Sequence, residues 1–160
     1  MKRSWKRVIL FSIAVSVLAP AVSLGVLSTL ARKPQNLGAV DGRLAPCPDS
    51  VNCVSTRAED PVHRIDPIAF DGPTDQALAR LKRAIATIPR TRIVSERDGY
   101  LHAEARSLIF RFVDDVEFLV VRDEKRIHIR SASRVGRSDL GVNRARVEKI
   151  RLAFQQSSGD

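Results

Sequence analysis

The sequence predicts an α+β domain: an antiparallel sheet of four to five strands with two helices packed on one face, preceded by an N-terminal membrane anchor or signal segment. Three observations carry this. Apolar residues recur at helical spacing in two stretches, 77–88 and 140–154. Between them lie two pairs of strand-like segments, each joined by a short turn. The order β-α-β-β-β-β-α that results, with hairpins between helices, makes an antiparallel sheet with helices on one side. The third observation is the beginning of the chain, MKRSWKR followed by residues 8–30 without a charge.

That basic head and apolar run form a Sec-type targeting segment. Its 23 uncharged residues exceed the roughly 20 that a helix needs to cross a bilayer. Two readings stand. An uncleaved anchor keeps residues 1–33 as a transmembrane segment, with the basic head cytoplasmic and the rest outside. Cleavage after Ala21, behind Ala19 and Pro20, releases the remainder. The domain is thus expected on the periplasmic side of the inner membrane, tethered through residues 8–30, or free in the periplasm. Residues 34–46, with Pro34, Gly38, Gly42 and Pro46, read as a linker. One domain follows over 47–154, and 155–160 read as a disordered tail.

Within the domain, CPDSVNC holds the two cysteines, Cys47 and Cys53. In an oxidising compartment such a pair reads as a disulfide. Free thiols, or a metal site with His63, are the alternatives, and the spacing matches no zinc pattern. PIAF at 67–70 is a short strand. Gly72-Pro73-Thr74 opens the first helix, whose stripe is Ala77, Leu78, Leu81, Ala84, Ile85 and Ile88, and Pro89 ends it. The first hairpin turns at Arg97-Asp98-Gly99. A three-residue loop sets Arg92 opposite Glu104 and Ile93 opposite Ala103, whereas a two-residue Asp-Gly loop would oppose Ile93 and Glu104. In the second hairpin, Glu117 faces Arg130, Leu119 faces His128 and Phe118 faces Ile129, around a loop at 122–125. The last helix starts between Asp139 and Asn143 and presents Leu140, Val147, Ile150 and Phe154.

The charge is localised. Of the formal +9, residues 2–33 supply six, leaving 9 − 6 = +3 for 34–160; residues 122–151 alone hold ten basic and four acidic side chains. A local basic surface suits phosphate, carboxylate or anionic lipid. Nucleic acid is excluded by the exported location and by the absence of a basic motif interleaved with aromatics.

CPDSVNCVS, YLHAEARS, FVDDVEFLV and IHIRSASRVGRSDLGVNRARVEKIR, in that order, resemble the bacterial and plastid proteins of domain-of-unknown-function family 1499. The resemblance covers the domain to about Arg151. Val51 stands where the family pattern has proline, and Arg137 where it often has tyrosine. The resemblance implies the fold and the location and brings no established activity.

The residues themselves offer one constellation, at the second hairpin and the segment after it. Asp114, Asp115, Glu117, His128, Arg130, Ser131, Ser133, Arg134, Asp139, Asn143 and Arg144 combine guanidinium groups that grip anions bidentately with a helix start. An ordinary structural reading competes: Glu117–Arg130 as a cross-strand pair, Asp139 or Asn143 as a helix cap. The expected function is a non-enzymatic module that binds an anionic small molecule, a lipid headgroup or an envelope partner protein on the Arg130, Arg134 and Arg144 side. The alternatives are an acid–base or hydrolytic enzyme built on Asp114, Asp115, Glu117 and His128, and a purely structural assembly module. The enzyme reading requires Glu117 and His128 to line one open cleft. Ser133 and His128 fall on opposite strand faces, and no G-x-S-x-G elbow exists, so seryl hydrolysis is disfavoured. No catalytic residue, cofactor or metal is assigned. On the first hairpin, Tyr100, His102, Glu104 and Arg106 read as a solvated polar face.

Overall fold

The computed structural model describes residues 31–157 and ten scattered positions between 5 and 28. Most of the predicted anchor therefore lies outside the described residues, and among the described residues no helix is long and apolar enough to cross a membrane. The elements are β1 (Ala39–Val40), β2 (Arg43–Leu44), β3 (Cys53–Ser55), β4 (Ile68–Ala69), α1 (Thr74–Ala86), β5 (Thr91–Arg97), β6 (Tyr100–Arg106), β7 (Val113–Val121), β8 (Arg126–Ser133) and α2 (Val142–Gln156).

The α+β class and the antiparallel pairing are as expected; the strand count is not. The main sheet has six strands in the order β3-β8-β7-β6-β5, with β4 also on β8. β3 escapes a sequence reading because it is three residues long and follows the cysteine loop, with no alternation to mark it. The stretch 34–46 is no bare linker. It folds into a two-stranded ribbon, β1 on β2, and β2 lies across β7 and β8 with Leu44 buried. At the other terminus, Gln155 and Gln156 complete α2 and Ser157 sits in a turn; 158–160 fall outside the described residues.

One sheet face makes the core. Leu101, Ala103 and Ala105 of β6, Val116, Phe118 and Val120 of β7, and Ile127 and Ile129 of β8 meet the buried stripes of both helices. Alternation puts all of these on one side, since successive strand residues point to opposite faces. α1 contributes Ala77, Leu81, Ala84 and Ile85. α2 contributes Val147, Ile150 and Phe154. Leu140 does not join them. It precedes the helix with φ 55° and is 95% exposed, so its helical spacing is incidental.

The second hairpin has the predicted register, Glu117 with Arg130, Phe118 with Ile129 and Leu119 with His128. The first resolves its two alternatives unexpectedly. Arg92 pairs Glu104 and Ile93 pairs Ala103, yet Arg97 pairs Tyr100 and leaves a two-residue Asp98-Gly99 loop. A bulge between Ile93 and Ser95 absorbs the extra residue. Asp98 and Gly99 both have positive φ, 36° and 80°, as the favoured two-residue hairpin turns require.

Cys47 and Cys53 form the disulfide, with Cα atoms 5.7 Å apart. It ties the end of the ribbon segment to β3. Replacing both cysteines by alanine is expected to lower unfolding free energy by about 2 kcal/mol, the loop-closure value for so short a loop. Chemical denaturation of the pair variant checks this.

Candidate functional site

The sheet face opposite the helices carries a polar set whose centre is out of solvent: His102, Asp115, Glu117, His128 and Arg130 are buried, while Tyr100, Glu104 and Arg106 are partly exposed. Glu117 is fully buried, at 0% exposure. Its Oε2 accepts from Arg130 Nη1 at 2.9 Å. Its Oε1 accepts from the Tyr100 hydroxyl at 2.9 Å and from the Gly38 amide at 2.8 Å. Arg130 Nε also donates to the Pro46 carbonyl. The ribbon segment thus closes over this pair and hydrogen-bonds to both members. Burial, and then the charge and hydrogen bond of Glu117, push the Tyr100 phenol well above its ordinary range.

Asp115 organises a second network two residues along β7. Arg134 donates to both of its oxygens, at 2.8 Å from Nε and 2.7 Å from Nη2. His102 Nε2 lies 2.7 Å from Oδ1. Arg134 Nη2 reaches on to Glu104 Oε1 at 2.6 Å, and Arg106 donates to Glu104 Oε2 at 3.0 Å. Burial alone would raise the Asp115 carboxyl, but the hydrogen bonds from Arg134 and His102 outweigh it and hold the group below its usual value. Glu104 is lowered the same way, against burial, by Arg134 and Arg106. Carboxyls lowered in the fold contribute stability above their unfolded pKa of about 4, and lose it as pH falls through the folded value. Urea midpoints are therefore expected to hold from neutrality to about pH 5 and to fall steeply below about pH 4. A midpoint that stays flat through that acid range would contradict the assignment.

His128 sits between Thr56 Oγ1, 3.0 Å from Nδ1, and Glu124 Oε2, 2.8 Å from Nε2. Glu117 and His128 therefore line no shared open cleft, the condition that the acid–base alternative had to meet.

Alternation splits the predicted constellation. Asp115, Glu117, His128, Arg130 and Arg134 are on the ribbon side; Asp114, Ser131, Ser133 and Asn143 are on the helix side. There Arg146 Nη2 pairs with Asp114 at 2.5 Å. Ser131 donates to Asn143 Oδ1, and Asn143 Nδ2 donates to the Asn52 carbonyl and to Ser133 Oγ. Buried Asn143 thus joins the cysteine loop, β8 and α2. Asp139 accepts the amides of Gly141 and Asn143 at the helix start. Arg144 donates to the carbonyls of Arg64 and Val62, both at 2.7 Å, and Arg151 to those of Pro67 and Asp66. The arginines predicted to face a ligand are spent on the protein itself.

A different group of arginines lines the surface, of which Arg106 already donates to Glu104 and Arg90 Nε to the Arg106 carbonyl, while Arg92 and Arg111 are the less engaged pair. Arg90, Arg92, Arg106 and Arg111 line one surface cleft of about 410 Å³ together with Thr91 and Glu104. β5 and β6 place them: Arg92 lies opposite Glu104, and the Arg106 amide bonds the Arg90 carbonyl. The only carboxylate in the cleft, Glu104, is already held by Arg134 and Arg106. Arg92 is 4.0 Å from it, with its side chain largely exposed, and Arg111 has no ion pair with any described residue. Both Arg90 and Arg111 stand in left-handed backbone, φ 56° and 60°, an unfavourable region for such side chains. The four come from positions 90 to 111, so no local run of basic residues announces them. A second cavity of about 400 Å³ lies between the ribbon segment and the sheet, where Lys33, Leu37 and Arg97 meet Tyr100 and His102. Among the described residues no three His, Cys, Asp or Glu side chains are grouped as a metal ion would need.

The family model for proteins of unknown function numbered DUF1499 matches residues 43–154. The chain belongs to the DUF1499 family. No curated protein and no solved structure matches it. The matched span begins at β2 and ends in α2, so the DUF1499 domain contains the whole six-stranded sheet, the disulfide and the four arginines of the cleft.

Proposed function

We propose that this chain is an exported, membrane-tethered module without catalytic activity, and that it binds a phosphate-like anionic group in the cleft of Arg90, Arg92, Arg106 and Arg111. One observation carries the reading: four arginines line one cleft whose carboxylate, Glu104, is already held by Arg134 and Arg106, which leaves Arg92 and Arg111 to meet an anion. Guanidinium groups grip phosphate oxygens bidentately and stay charged at any physiological pH. Export is supported by the targeting pattern of residues 1–33 and by the disulfide, which persists in oxidising compartments. The tether is residues 8–30, and the domain stands on the periplasmic side.

Calorimetric titration of the full chain in detergent with inorganic pyrophosphate tests the binding. The native chain binds, and Arg111→Ala weakens binding about tenfold, the value of one charge-assisted contact of roughly 1.5 kcal/mol. Its thermal midpoint stays unchanged, because Arg111 makes no ion pair with any described residue. Equal binding by the two proteins, or none by the native chain at millimolar pyrophosphate, would refute the site.

A further inference from the structure

Solvent-exposed apolar side chains usually occur singly. Here five of them gather at one end of the sheet. Leu108 is 70% exposed, Ile109 77% and Leu140 95%, and Val51 and Val142 are about half exposed. Strand pairing shows that they share an end. Arg106 opposes Val113 across the β6–β7 connection, Asp114 opposes Ser133 at the end of β8, and Cys53, at the start of β3, opposes Ala132. The β6–β7 and β8–α2 connections also adjoin, since Ser107 and Phe112 share a cavity wall with Val135, Ser138 and Val142.

The arginine cleft opens at this same end. Arg106 and Arg111 flank Leu108 and Ile109 in the chain, and Arg137 lies in the neighbouring connection without an ion pair to any described residue. Opposing charges are few: Asp114 and Glu104 are paired, Asp139 holds backbone amides, and Asp49 is exposed. Aliphatic tips beside arginines suit the boundary of an anionic bilayer. There the apolar tips enter the acyl region while the guanidinium groups stay with the headgroup phosphates.

We infer that the loop end of the domain docks on an anionic lipid surface, with Leu108 and Ile109 inserted and a headgroup phosphate in the arginine cleft. This rests on the anion-binding reading of that cleft and names the source of the anion. Lys33 lies beside Arg97 and Asp98, next to the β5–β6 turn and therefore at the opposite end of the sheet.

The test uses the full chain with Trp5→Phe and Ile109→Trp, so that the only indole reports on the loop. The chain is held in neutral phosphatidylcholine nanodiscs and mixed with vesicles of phosphatidylcholine and phosphatidylglycerol. The expected result is a blue-shifted, lipid-quenchable emission that pure phosphatidylcholine vesicles do not produce. Leu108→Asp abolishes it while leaving pyrophosphate binding intact, and Arg111→Ala weakens both. Pyrophosphate binding with no emission change overturns the lipid inference and leaves a soluble anion as the ligand. Loss of pyrophosphate binding from the native chain overturns the cleft reading itself. Equal shifts with neutral vesicles overturn the role of charge. Self-association in light scattering that Leu108→Asp removes assigns the tips to a second copy of the chain instead of lipid.

Discussion

Arg134→Ala is expected to lower the thermal midpoint by roughly 10–20 °C, from a loss of about 3–5 kcal/mol. The side chain is 7% exposed and bridges Asp115, itself 1% exposed, to Glu104. Removing it leaves Asp115 with His102, and Glu104 with Arg106 and the more distant Arg92. A buried carboxylate without its countercharge costs far more than the pair contributed while intact. Arg134→Lys restores only part of the loss, because an ammonium cannot serve both Asp115 oxygens and Glu104 from one planar fork. The deficit is largest near neutrality and narrows below about pH 4, because the hydrogen bonds that lower both carboxyls act only on the ionised groups and protonation relieves the carboxylates left unpaired. A midpoint within a degree or two of the native protein would instead mark Arg134 as a residue held for a ligand. Differential scanning calorimetry of the two variants decides.

Glu117→Gln is the second large effect, about 3 kcal/mol. The amide keeps an acceptor for Tyr100 and Gly38 but leaves Arg130 charged and buried without its partner. The ribbon segment should loosen along with the fold, because Gly38 and Pro46 hang on this pair. Hydrogen exchange at the Gly38 amide is expected to accelerate more than the global change explains. Apolar replacement of both Glu117 and Arg130 should cost less than the sum of the single losses, as buried pairs exchanged for packed apolar groups usually do.

These effects concern residues that the sequence brought forward for a different reason. The register of β7 on β8 was legible because Phe118 and Ile129 on one face, and Glu117 and Arg130 on the other, permit one alignment only. The pairing of Cys47 with Cys53 was legible from their short separation, given the expectation of an oxidising compartment. Asp114 and Asp115 were read as one cluster, yet neighbours on a strand point to opposite faces. That information was in the sequence and sets the two carboxylates apart. The ribbon was not legible, because 34–46 has the glycine and proline content of a linker and one buried apolar anchor, Leu44. Missing it made Tyr100, His102 and Glu104 look solvated, when His102 is 1% exposed. The bulge after Ile93 was hidden too, since it trades one residue of strand for one of loop and leaves the outer register intact. The arginine cleft could emerge only from topology, which brings Arg90 and Arg92 beside Arg106 and Arg111.

The division of labour between arginines that hold the fold and arginines that face a ligand is tested most directly by paired measurements on Arg111→Ala and Arg130→Ala. Each variant is titrated with pyrophosphate well below its melting temperature and then melted. Arg111→Ala is expected to melt with the native protein and bind about tenfold more weakly, while Arg130→Ala melts many degrees lower and, while folded, binds as the native chain does. An Arg130→Ala chain that melts normally but no longer binds, beside an Arg111→Ala chain that still does, would return the site to the second hairpin and contradict this division.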